Sequence, residues 1–248
     1  MARDDRCPDL RSTAQPRPAA PRSAARLAAH PAGRLALTCI ALWLCGTTVA
    51  QGRSVELRVE QVDGKPVVGA VVMLRALDDA RPAAPAIDAV MDQLDRRFVP
   101  DVLVVPVGSR VTFPNSDPIS HQVYSFSPIR RFQLPLYRGE PYPPVDFPQA
   151  GIATLGCNIH DEMRAYIVVT DGRHYGRTSA EGLWRASDVR AGAYVLNVWH
   201  PRLRDPRGLI EQRVEITDEG DVQTLVVRAG AALRPASRVA KPASWDAY

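Results

Sequence analysis

The chain has 248 residues, 46% of them hydrophobic and 23% charged. That composition excludes wholesale disorder and leaves room for one large domain or two small ones. The net charge of +4 belongs to one end. Residues 1–50 hold 7 arginines against 3 aspartates, and residues 51–248 hold 24 basic and 24 acidic side chains. A neutral body removes the charge argument for a nucleic-acid partner, and none is expected.

Arg22, Arg26 and Arg34 precede an apolar run over residues 35–44, and small residues follow to Thr48-Val49-Ala50. A positive region, a short apolar core and a small-residue exit are the parts of a secretory signal. The run falls short of the ~20 residues that cross a bilayer. Export to the periplasm with cleavage after Ala50 is therefore expected, with no membrane span in the mature chain; the competing reading is an uncleaved anchor. Cys45 follows the bulky pair Trp43-Leu44, a poor context for lipid attachment. Cys7, Cys39 and Cys45 all fall in this leader, which leaves Cys157 as the only cysteine of residues 51–248. A lone thiol in an oxidising compartment forms no internal disulfide and needs burial or ligation.

Residues 55–74 read as two strands around the turn Asp63-Gly64-Lys65-Pro66, and residues 78–87 as an Asp/Pro/Ala linker. Val102-Leu103-Val104-Val105-Pro106-Val107 is a β-branched run ending at the turn signal Gly108-Ser109. Strand patterns recur at 110–113, 122–126, 151–155 and 165–169, with no convincing amphipathic helix between them. Short strands with turn punctuation predict an all-β sandwich. Further turn–strand units follow at 178–184, 191–198, 211–217 and 222–228. Together with 55–77 these later pieces resemble one prealbumin-type, carboxypeptidase-regulatory-like β module. A sandwich over about 88–170 is then inserted into that module; in the alternative, 55–77 adds strands to the inserted sandwich. This gives a leader at 1–50, N-terminal strands and linker at 51–87, a first sandwich at 88–170, a C-terminal module at 171–230 and a disordered tail at 231–248.

The chemistry concentrates in Cys157-Asn158-Ile159-His160-Asp161-Glu162-Met163. A thiolate, an imidazole and a thioether stand three residues apart each time. A tight loop turns such positions toward one centre, whereas a strand alternates faces. His121 adds a second imidazole upstream. Two His, one Cys and a weak axial Met form the donor set of mononuclear blue copper, and structural zinc sites rarely use Met.

These residues, with Phe113-Pro114-Asn115, resemble the cupredoxins. The short Cys-x2-His-x2-Met loop is similar to that of the amicyanin and plastocyanin type. Longer stretches, Arg97-Phe98-Val99-Pro100, Pro114-Asn115-Ser116-Asp117, Val123-Tyr124-Ser125-Phe126-Ser127 and Val198-Trp199-His200-Pro201, resemble cupredoxin-type proteins labelled methylamine utilization proteins. The resemblance covers residues 55–228. It implies a Greek-key β-sandwich holding one copper ion and shuttling single electrons. His121, Cys157 and His160 would be equatorial ligands and Met163 axial, while Asn115 would tie two loops together and help cover the sulfur. The long segment between His121 and Cys157, with Arg130, Arg131, Arg138 and a proline-rich run, departs from that pattern.

A metal ligated by four side chains offers no open position for a substrate, so an electron carrier is expected rather than an enzyme. The partners implied are redox proteins, a dehydrogenase or a cytochrome. Copper delivery would favour Met- and His-rich surfaces, which residues 51–248 lack; an interaction module with a non-redox site is the third reading. Arg130, Arg131, Arg138 and Arg164 are candidates for steering an acidic partner. Asp161 and Glu162 are read as exposed loop carboxylates, His200 as a turn or packing residue, and His174 as part of a solvated polar turn.

Overall fold

The computed structural model describes residues 53–78, 81–204, 208–230 and 233–234. The leader with its expected cleavage point, and nearly all of the expected tail, lie outside the described residues. Within these residues the regular structure is β, and no helix is long and apolar enough to cross a membrane.

In chain order the strands begin with β1 (Arg53–Glu60) and β2 (Val71–Ala76). A first sandwich follows: β3 (Asp88–Val90), β4 (Asp92–Leu94), β5 (Arg97–Val99), β6 (Val102–Pro106), β7 (Ser109–Thr112), β8 (Tyr124–Ser125), β9 (Phe132–Gln133), β10 (Val145–Phe147), β11 (Gly151–Gly156) and β12 (Arg164–Thr170). The chain closes with β13 (His174–Arg177), β14 (Leu183–Val189), β15 (Gly192–Trp199), β16 (Leu209–Ile216) and β17 (Val222–Arg228).

The sheet β6-β12-β11-β8-β9 faces the sheet β10-β7-β3, and the chain crosses between them repeatedly, as Greek-key sandwiches do. Val105, Leu155 and Ile167 from the first sheet meet Val111 and Phe147 from the second, and Phe113 just beyond β7, in one core. The other strands build a second sandwich from the sheets β14-β1-β17 and β13-β2-β15-β16. Leu57, Leu74, Trp184, Leu196 and Ile216 fill its core. β1 pairs with β14 and β17, and β2 with β13 and β15, so both early strands join partners beyond residue 172.

β6 and β12 explain why Val102-Leu103-Val104-Val105 and Tyr166-Ile167-Val168-Val169 lack polar alternation. One face of each meets the core of the first sandwich through Leu103, Val105, Ile167 and Val169. The other face, carrying Val102, Val104, Tyr166 and Val168, packs on Val71, Met73 and Trp199 of the second sandwich. Sheets covered on both sides read as continuous apolar runs.

The structure adds strands that the sequence pattern did not announce: β3, the β4–β5 hairpin, β9 and β10. The turn expected at Gly108-Ser109 is shorter than that, since Ser109 already belongs to β7, where it is buried and its Oγ accepts from Ile87 N at 3.0 Å. The strand expected at 122–126 is reduced to the two residues of β8. His174 is not in a solvated turn. It opens β13 opposite Leu74 and is half-buried, because β2 needs an antiparallel neighbour there.

His200 follows β15 in a buried turn, where its Nδ1 accepts from Arg202 N at 3.2 Å. Burial, with Arg202 and Arg177 nearby, pulls its pKa down to about 4. The unfolded chain therefore binds the extra proton between about pH 6.5 and 4, and stability present above that window is lost as pH falls through it. Full protonation is expected to remove about 3 kcal/mol. Denaturant melts at pH 7 and pH 4.5 check this: His200→Gln should show a clearly smaller difference between the two than the parent.

Candidate metal centre

Three elements converge at one end of the first sandwich. His121 stands at the end of the loop that follows β7 and is clipped to Tyr137 by a pair of backbone bonds, each 3.0 Å. Cys157 comes directly after β11. Met163 comes directly before β12, with its N–H donating to His160 O at 3.0 Å in the tight turn between. Asn158 Nδ2 donates to Gln122 Oε1, tying the cysteine loop to the residue after His121. A Cβ at Gly156 would lie 2.6 Å from Tyr124 Cζ, so the tyrosine ring packs on the backbone that delivers the thiol.

The donor atoms of His121, Cys157 and His160 lie within 4.8 Å of one another. His121 Nδ1 faces Cys157 Sγ at 3.9 Å, and the two imidazole rings are 5.0 Å apart. His121 and Cys157 are 0% and 3% exposed, while His160 reaches partway to solvent. Met163 is 2% exposed and lines the same groove as Cys157, together with Tyr124, Phe126 and Arg164. Thus three of the four expected ligand residues bring their donor atoms together, and Met163 lines the groove beside Cys157. His160 Nδ1 is buried without a hydrogen-bond partner. An orphaned ring nitrogen is costly unless it binds something, and a metal coordinated by this nitrogen would satisfy it. Burial, His121 and Arg96 hold the His160 pKa below its ordinary value against the opposing pull of Asp117. The ring is therefore neutral at pH 7, as a ligand must be. The donor set fits a soft or borderline metal ion of the copper type.

Asn115 is buried. Nδ2 donates to Ile119 O at 3.0 Å and to Tyr137 O at 2.8 Å, and Oδ1 accepts from Asp117 N at 3.1 Å. It ties the His121 loop to the Tyr137 segment, and none of these bonds reaches the sulfur. Of the arginines, Arg164 is exposed on the groove and Arg138 donates to Pro118 O at 3.0 Å beside the His121 loop. Arg130 is half-buried and Arg131 exposed. Asp161 and Glu162 are exposed as expected.

Two residues with no expected role stand next to the ligands. Asp117 Oδ2 pairs with His121 Nε2 at 2.5 Å. Burial alone would push its carboxyl up, but the Arg96 N–H, His121 and the Asp95 N–H together hold it below the usual carboxylate range. Tyr137 is buried and donates its O–H to Phe113 O. Burial pushes its pKa up to about 12 despite the bond from Gln93, so it stays a donor. The spacing of an acid four residues before a histidine was the one available signal for Asp117.

Fold and donor set together define a β-sandwich protein with a buried His–Cys–His centre able to hold a metal ion. No family model matches the chain, and no curated protein matches it. Among solved structures, the chain is similar to a copper-containing nitrite reductase from Thermus scotoductus SA-01, at 24% identity over 39% of this chain with a TM-score of 0.32. It spans 25% of that reductase's length. A purple cupredoxin from Nitrosopumilus maritimus is 22% identical over 33% of this chain and 96% of its own, with a TM-score of 0.30. A reduced amicyanin variant is 25% identical over 40% of this chain and 99% of its own, with a TM-score of 0.31. These neighbours are cupredoxins or contain copper, and each covers less than half of the chain.

Proposed function

We propose that the protein is a mononuclear blue copper protein that carries single electrons between redox partners in the periplasm. The observation that supports this most is the approach of one thiol and two imidazole donors within 4.8 Å in a buried pocket. Copper bound there would supply a one-electron couple. Cys157, His121 and His160 would hold it, with Met163 as the weak fourth donor. The chain's part is to keep these donors fixed in both redox states. Backbone bonds to Tyr137 hold His121, and the bond from Met163 N closes the His160 turn. Four protein donors leave no open position for a substrate, so no catalysis at the metal is proposed. Half-exposed His160 is the ligand that reaches the surface, where a partner would receive or deliver the electron. Arg164 on the Cys157 groove and Arg138 by the His121 loop favour an acidic partner, a dehydrogenase or a cytochrome, with a rate that falls as salt rises. The sequence resemblance to methylamine utilization proteins makes an amine-oxidising donor the first to try.

Adding Cu(II) to the purified protein tests the reading. An intense visible thiolate-to-copper band is expected, and a colourless complex would refute the blue site. The axial position separates carrier from cargo. A weak thioether adds little affinity but tunes the potential. Met163→Leu should keep copper and colour and raise the reduction potential; Met163→Gln should lower it, because an oxygen donor favours the oxidised ion. Voltammetry of the loaded variants checks this. Release of copper by Met163→Leu, with no change in potential of the fraction still bound, would instead mark a transport site.

A further inference from the structure

The loop that delivers His121 is gripped by the β4–β5 hairpin. Ser116 donates through N and Oγ to the Asp92 carboxylate, at 3.2 and 2.7 Å. Ser116 N and Asp117 N also reach Gln93 O, at 3.0 and 3.1 Å. Gln93 in turn donates from N and Nε2 to Pro114 O, at 3.2 and 2.9 Å.

At the tip of the hairpin Asp95 and Arg96 have φ of 52° and 55°. Left-handed backbone is unfavourable for residues other than glycine, and a two-residue turn of this kind ordinarily recruits Asn-Gly or Asp-Gly. Here it aims two neighbouring N–H groups at one carboxylate. Asp95 N donates to Asp117 Oδ1 at 2.9 Å and Arg96 N to Asp117 Oδ2 at 2.8 Å. The remaining partner of that carboxylate is His121 Nε2 at 2.5 Å, and both side chains are buried.

A carboxylate that already accepts from two backbone donors faces the imidazole as an acceptor only. His121 must then carry its proton on Nε2, which leaves the Nδ1 lone pair bare toward Cys157 Sγ. The same contact makes the ring a stronger donor. We propose that Asp117 is a positioning residue and that the residue 92–99 hairpin is its clamp. Together they would fix His121 as an Nδ1 ligand before any metal arrives. Asp117 touches no metal on this account and acts through His121 alone. The ligand role rests on the copper reading, but the tautomer does not.

The first measurement is therefore made on the metal-free protein. Long-range proton–nitrogen correlation spectra of the 15N-labelled parent should show His121 wholly as the Nε2–H form at neutral pH. Asp117→Asn keeps the size but turns an acceptor into an amide whose NH2 meets the backbone donors. It should give mixed His121 tautomers, a Cu(II) affinity lower by about 10- to 100-fold, and a higher reduction potential. An Nδ1–H form in the parent would overturn the proposal whether or not the variant folds. Unchanged tautomer and affinity in Asp117→Asn would overturn it as well. An Nε2–H parent that gives no blue band with Cu(II) would sink the copper reading and uphold the clamp; a blue parent with the Nδ1–H form would do the reverse.

Discussion

Cys157→Ser is expected to abolish the intense visible band of the Cu(II)-treated protein while the β-sandwich stays folded. The band needs a thiolate, and Cys157 is the only cysteine beyond residue 45. A serine hydroxyl is a poor ligand at neutral pH, because it must lose a far less acidic proton than a thiol. His121 and His160 would remain, so residual Cu(II) binding is expected to be weak and pale. The side chain is 3% exposed in the core of the first sandwich, and burying a hydroxyl there costs about 1–3 kcal/mol. Far-ultraviolet circular dichroism and a thermal melt of the metal-free variant check that the fold survives. A Cys157→Ser protein that kept the band would exclude the assignment of the thiolate outright.

The second large effect is structural. Trp199 is 4% exposed and packs with Val71, Val102 and Val168 between the two sandwiches, its ring 5.1 Å from that of Tyr166. Trp199→Ala is expected to cost about 3–5 kcal/mol, the range for removing a large aromatic from a close-packed site. Tyr166 lies on β12, three residues after Met163, but it faces away from the core of the first sandwich. The visible band of the copper-loaded variant should therefore keep its position while the denaturation midpoint falls. A loss below about 1 kcal/mol would show that the junction contributes little to stability, well under the large-to-small range. A shifted band would show that β12 transmits the packing defect to the ligand loop.

The candidate ligands were legible because donor chemistry is local. Cys157, His160 and Met163 are within seven residues of each other, and their side chains are unusual together. The strands β6, β11 and β12 were legible from β-branched runs. The β4–β5 hairpin was not, because its turn is Asp95-Arg96 and carries no Asn-Gly or Asp-Gly signal. β10 was hidden within a proline-rich stretch, and β9 is only two residues long. Asp117 was invisible as a ligand support for a different reason: its partners are backbone N–H groups of residues 95 and 96, and any sequence supplies those. Likewise the particular partners of Asn115, Ile119 O and Tyr137 O, depend on a loop path that the residue types do not encode. The parallel pairing of β1 with β17 joins residues more than 160 positions apart, beyond the reach of periodicity.

β2 and β13 are antiparallel neighbours, with Leu74 opposite His174. In an ordinary sheet two such strands are joined by a few residues at a turn. Here everything between Ala76 and His174, ten strands and the whole donor cluster, occupies the place of that turn. Topologically, the half that carries the donor cluster is an overgrown hairpin loop. Chain departs and returns through strands about 5 Å apart, which is the arrangement that tolerates excision or exchange of a guest domain. Splicing residue 77 to residue 173 through a short turn would leave each strand pair of the host sandwich in place, at the expense of baring Val71 and Trp199. A different guest with closely spaced ends could be seated on the same host by covering those two side chains.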